Sequence, residues 1–148
     1  IVNNTIYGNR EFWYALYGCS GTIRNNIIYQ TRPVNESSTP TYSLLVGTWN
    51  GGGEGNLRAD PLFVDPDNGD FRLRPDSPCI DAGGSLRNLI QGGRLPVDYD
   101  GKARPVQGVN VARGDGSLYD MGAYEFHLFD NYLSDIDGNL KVNYLDLI

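Results

Sequence analysis

The oxygen-bearing side chains of Asp135, Asp137, Asn139, Asn143 and Asp146 stand at positions one, three, five, nine and twelve of one segment. A hard divalent cation takes about seven oxygens at ~2.4 Å, and alternate side chains on a tightly wound loop converge on it. The Lys141 carbonyl falls at position seven, and Val142 follows at position eight, where an apolar residue packs inward. The spacing predicts a calcium site with the ligand set Asp135, Asp137, Asn139, Lys141, Asn143 and Asp146. Leu140 stands at the sharp turn where glycine is usual, and a left-handed backbone there costs about 1 kcal/mol or more. The competing reading is a solvated acidic linker whose Asp residues favour turns. Asp65, Asp67 and Asp70 form another acidic group, for which Pro66 and Asn68-Gly69 make an ordinary turn the simpler account.

Catalytic spacing is sparse. A polysaccharide lyase needs a base near neutral pH and a cation, and a glycosidase needs facing carboxylates. Between residues 1 and 56 the acids are Glu11, Glu36 and Glu54 and the bases Arg10, Arg24 and Arg32, with no Lys or His. Arg24 lies between Ile23 and Asn25, so alternation puts it on an outer face, as a solvated charge or a contact for a sugar. No catalytic role is assigned to any residue, His127 included. Trp13, Tyr14, Tyr17 and Trp49 are candidate platforms for carbohydrate, because sugar C–H faces pack on rings; completing a core is the alternative.

The elements that would position these groups begin with a repeat. Ile1-Val2-Asn3-Asn4-Thr5-Ile6-Tyr7 returns 22 residues later as Ile23-Arg24-Asn25-Asn26-Ile27-Ile28-Tyr29, with five of seven positions identical. A period of that length, built from β-branched residues around an Asn pair, predicts stacked coils of a parallel β-solenoid, with strands ~4.8 Å apart. Asn suits the bend because it tolerates a left-handed backbone and its amide can donate and accept along the stack. A further step of 22 reaches Leu45-Val46-Gly47-Thr48-Trp49, read as a degenerate third coil. The coils are expected over 1–56, with lateral loops at 9–20 and 30–41, a capping segment over 57–127 and a calcium-loop tail over 128–148. Phe63, Val64, Phe71, Leu73 and Ile80 are the candidates for covering the last coil.

The chain of 148 residues carries a net charge of -6, with only Lys102 and Lys141 against ten Arg. That balance argues against a nucleic-acid surface, and no stretch reads as a membrane span. The chain starts at Ile1 and has a single Met, Met121, so it reads as a piece of a longer protein whose open first coil would meet upstream coils or another copy. Cys19 and Cys79 are too few for a disulfide scaffold. A buried small apolar role is favoured over a bridge, Cys79 lying between Pro78 and Ile80.

Five segments in order carry a family resemblance: AlaAspProLeuPheValAsp (59–65), AsnGlyAspPheArgLeu (68–73), SerProCysIleAspAlaGly (77–83), AspTyrAspGlyLysAlaArgPro (98–105) and AspMetGlyAlaTyrGluPhe (120–126). This succession resembles the C-terminal part of secreted bacterial right-handed parallel β-helix proteins of the pectate-lyase-like kind. The resemblance implies an all-β fold of about three terminal coils closed by an irregular cap. Residues 135–146 resemble the first half of a type I dockerin, which implies calcium and a cohesin-like partner, although the second loop is absent.

These readings converge on the non-catalytic end of a secreted or cell-surface protein with a structural, adhesive or filament-forming role. Carbohydrate and a cohesin-like domain are the partners to consider. The alternative is the tail of a polysaccharide lyase or glycoside hydrolase whose catalytic coils lie upstream.

Overall fold

The computed structural model describes residues 1–8, 13–35, 37–89, 97–109 and 113–128. Strands β1 (Thr5–Tyr7), β2 (Ile27–Tyr29) and β3 (Leu44–Val46) form a parallel sheet in that order. Strands β4 (Phe63–Asp65) and β5 (Asp70–Leu73) pair antiparallel across a 3₁₀ turn, Pro66–Asn68. Proline opens that turn and Gly69 closes it at a φ of 82°, a left-handed conformation that glycine adopts without strain.

The parallel sheet is held in register by side chains as well as backbone. Ile6 lies opposite Ile28, and Ile28 opposite Leu45. Just before each strand the chain turns through a left-handed residue, Asn3, Asn25 and Tyr42, and Gly55 repeats the turn ahead of Leu57, which bridges to Leu44. After the last three of these turns the next residue offers an oxygen to the segment before it. Asn26 Oδ1 accepts the Asn4 N–H, Ser43 Oγ the Asn26 N–H and Asn56 Oδ1 the Ser43 N–H, at 3.0 to 3.1 Å. The first Asn of each pair faces the C-terminal half instead, and the second carries the ladder.

The expected right-handed parallel β-helix is overturned by this arrangement. Among the described residues there are five strands in two small sheets, none closed or wound into a solenoid, and the fold is a small β-rich domain. In a solenoid each repeat stacks on its neighbours face by face around a continuous core. Here the ladder partners are 22, then 17, then 13 residues apart, so the segments shorten steadily. Only the face bearing β1, β2 and β3 pairs as strands; among the described residues the rest of the stacking is isolated parallel bridges, Val2 to Arg24 and Arg24 to Thr41 just ahead of the strands and Leu16 to Val34 apart from them. The third strand therefore follows β2 by 17 residues and not by the 22 of the repeat.

Alternation within the short strands sends apolar side chains to both faces of the sheet. Ile27 and Leu44 pack with Phe63, Leu73, Cys79, Ile80, Met121 and Phe126, while Ile28 and Leu45 pack with Leu16, Ile23 and Val34. Full burial of such a side chain is worth about 1.5–3 kcal/mol. Of the expected covering residues, Phe63, Leu73 and Ile80 are buried, and Phe71 packs on the same cluster with its ring 5.1 Å from that of Tyr7. Val64 departs from expectation, standing 46% exposed on the outer side of the β4–β5 hairpin. Cys19 and Cys79 are free thiols associated with opposite clusters.

Replacing Asn26 with Ala removes its acceptor to Asn4 and its donor bonds to the carbonyls of Ile1 and Arg24. Urea unfolding is expected to show a loss of about 2–4 kcal/mol, because buried partners lose their bonds. Asn4→Ala, at the exposed end of the ladder, is expected to lose about 1 kcal/mol or less.

Candidate functional site

The chemistry-bearing groups that come together lie inside the C-terminal half. Asp81, Asp98, Asp120 and Glu125 are buried with Arg104. The loops that carry them have almost no sheet pairing, so their N–H groups need other acceptors. Asp81 accepts from the N–H of Gly108 and Val109, and Asp98 from those of Asp100, Lys102 and Glu125. Asp120 accepts from the N–H of Asp81 with one oxygen and of Phe126 with the other. Glu125 Oε1 accepts from the Val106 N–H, and Oε2 from Arg104 Nε at 2.7 Å. The Arg104 and Glu125 side chains are 2% and 0% exposed.

Two asparagines join this frame to the parallel sheet. Asn25 accepts from the Gly84 N–H and donates to the Gly84 carbonyl, while Asn3 donates to the carbonyls of Asp120 and Gly122. Gly122 comes so close to the sheet that a Cβ would lie 2.8 Å from Ile27 Cδ1. Its φ of 96° also excludes most side chains.

Burial and the nearby Glu125 charge raise the proton affinity of Asp120 well above the ordinary carboxylate range. Burial raises that of Glu125 as well, with the Arg104 charge pulling against it. Asp70 and Asp115 shift the other way, Asp70 chiefly through its bond to Arg72 and Asp115 through bonds from Ser117 and Ser85 that outweigh burial. Burial pushes the Cys79 thiol up, so it is no nucleophile at neutral pH.

The outer surface holds the aromatic candidates. Tyr14, Arg32, Val34, Thr48, Trp49 and Asn50 line a groove of about 180 Å³. The Arg32 guanidinium lies 5.8 Å from the centre of the Tyr14 ring, and Tyr14 and Tyr17 stack with centroids 5.9 Å apart. Trp13 and Tyr17 are 79% and 76% exposed. Trp49 also packs against the Leu45 cluster, so it serves core and groove together.

Arg24 contradicts its expected place on a solvated outer face. It lies over the Tyr42 ring at 4.3 Å, with Nη1 on Thr41 and Nη2 on Asp115, because the segment around Gly84 and Asp115 folds across it. Asp65, Asp67 and Asp70 surround a turn: Asp65 accepts from Asn68 and Asp70 pairs with Arg72. Among the described residues no group of three His, Cys, Asp or Glu side chains could hold a metal ion. The calcium ligand set Asp135, Asp137, Asn139, Lys141, Asn143 and Asp146 lies outside the described residues.

Sequence reasoning missed the carboxylate frame, though a signal was present. Asp81, Asp98, Arg104, Asp120 and Glu125 all sit within the last three of the five ordered motifs, and Asp81, Asp98, Asp120 and Glu125 each stand directly beside apolar or aromatic residues. Arg32 was noted only as a charge.

Arg104→Met leaves the Glu125 carboxylate buried without its cation and is expected to destabilise the fold by about 3–5 kcal/mol in urea unfolding. Adding Glu125→Gln should recover part of that loss. Folding draws protons onto Asp120 and Glu125, so thermal stability should fall as pH rises from the carboxylate range towards neutrality. Asp70 and Asp115 bind protons less well when folded, so stability should also fall as pH drops through and below that range. Melting curves across pH should thus peak at mildly acidic values, and Asp120→Asn should flatten the neutral side. No family model, curated protein or solved structure matches this chain.

Proposed function

We propose that the chain is a non-catalytic structural and adhesive module of an extracellular protein, with carbohydrate as the ligand of the Tyr14–Trp49 groove. The observation that carries this reading is the division of its chemistry. The four buried acids turn their oxygens onto backbone N–H groups and Arg104, where they hold loops together. Catalysis by paired carboxylates needs oxygens free to meet a substrate. Aromatic rings and Arg32, by contrast, line an open groove with no acid among its described wall residues. Ring faces suit the C–H faces of a sugar, and a guanidinium donates to its hydroxyls.

Affinity electrophoresis against a panel of soluble polysaccharides tests this. Retardation by at least one polysaccharide is expected, weakened about tenfold by Arg32→Ala, equivalent to ~1.4 kcal/mol. Trp49→Phe, which keeps the ring packing, should weaken it less. Migration unchanged by every polysaccharide sinks the adhesive reading.

Calcium on residues 135–146 belongs to the same proposal and rests on ligand spacing alone. Calorimetric titration of the whole chain with calcium should give a saturable heat that Asp135→Ala removes. Equal heats from both proteins would leave the segment as an acidic linker.

A further inference from the structure

The groove that carries Trp49 also carries an Asn-Gly pair, Asn50-Gly51. An asparagine amide followed by glycine is open to attack by the main chain, because glycine has no side chain to crowd its own nitrogen or to restrict the turn that the attack needs. Asn68-Gly69 is a second pair of the same kind, so the fold supplies its own comparison.

The two pairs are held differently. In the 3₁₀ turn the Asn68 amide donates to Asp65 Oδ2 at 2.7 Å and the Gly69 N–H donates to the Pro66 carbonyl at 3.2 Å. Both bonds must break before the Gly69 nitrogen can reach the Asn68 side chain. Asn50 is exposed, in a stretch over 48–53 that belongs to no strand or turn. Neither its amide nor the Gly51 N–H has a hydrogen-bond partner among the described residues. The glycine itself is required there: a Cβ on Gly51 would lie 2.7 Å from Trp49 Nε1, and Trp49 is packed on the Leu45 cluster. The ring that shapes the groove thus demands the residue that leaves Asn50 open to attack. Asn25 and Asn26, by contrast, are fully buried with their amides bonded.

We propose that Asn50 is a site of spontaneous deamidation, which places a carboxylate on the groove wall that also carries Arg32. The Gly51 nitrogen gives its proton to solvent and bonds to Asn50 Cγ, and the Cγ–Nδ2 bond breaks to release ammonia. Water then opens the cyclic imide, at Cγ to give aspartate or at the main-chain carbonyl to give isoaspartate. Water is the only co-reactant consumed. This inference does not rest on the carbohydrate reading, since the covalent change is present whether or not the groove holds a sugar.

The test is to incubate the intact folded chain in mildly alkaline buffer and map its peptides by mass spectrometry, with electron-transfer fragmentation to separate isoaspartate from aspartate. Conversion at Asn50 is expected about tenfold faster than at Asn68, where the two bonds of the turn must first open. In urea the two rates should converge, because neither pair is then constrained. Asp65→Ala removes the partner of the Asn68 amide, so it should speed conversion at Asn68 and leave Asn50 unchanged. Asn50→Gln should remove the early acidic species on isoelectric focusing, since the longer side chain closes its ring far more slowly. Conversion at Asn50 no faster than at Asn68 in the folded chain overturns the proposal, as does an early acidic species undiminished in Asn50→Gln.

Discussion

Strands of three or four residues leave most of a chain outside any sheet, and each buried N–H in those stretches must still find an acceptor. Sheet pairing can serve only a small part of this domain. The remainder is served by side chains: Asn and Ser oxygens along the parallel strands, carboxylates through the C-terminal loops. The fold depends on these side-chain acceptors in the way a larger β-protein depends on long ladders. Each buried carboxylate costs free energy in lost hydration, offset because its oxygens meet two or three N–H donors or a guanidinium.

The two systems of acceptors are not separate. Asn3 and Asn25 take the left-handed conformation that frees their side chains to leave the sheet, and their amides grip the backbone at Gly84, Asp120 and Gly122. The next residues, Asn4 and Asn26, bind along the sheet. One dipeptide thus joins neighbouring strands and also fastens them to loops about 60 to 120 residues away. Thr5 adds to this through Oγ1, which accepts the Ala123 N–H. Long-range ties of this sort make the sheet and the C-terminal half mutually dependent, so loss of one amide is felt in both.

The register of β1 on β2 was legible because a repeat of seven residues with an Asn pair constrains both backbone and side chains. The architecture was not. A period established from two copies cannot reveal that the following segments shorten, and Ser43 stands ahead of Leu44 where the repeat would have Asn. Tyr42 at a left-handed position disguised the third turn further, because an aromatic residue is rarely found there. Alternation misplaced Arg24 since it says which side of a strand a residue occupies, not what later folds over that side. The turn at Asp65–Asp70 was readable from Pro66 and Gly69, whose backbone preferences act locally. The groove was half readable: its rings stand out in the sequence, but Arg32 meets Tyr14 only after two loops are brought together.

Inward acids also change what the net charge of -6 means. Among the described residues four Asp and Glu side chains are buried against backbone donors with one guanidinium, and the sequence total assigns their charge to a surface they do not occupy. Asp120, whose burial favours the protonated form, contributes less negative charge than its formula implies once the pH falls towards its raised range. Among the described residues the groove beside Arg32 has no acid on its walls, so those walls depart from the acidic average of the chain. The acidic average read from composition therefore does not describe those walls, which carry rings and a cation. The same placement of charge argues against hydrolysis at the frame: a buried carboxylate held on backbone N–H groups lacks the access that proton transfer to a substrate requires.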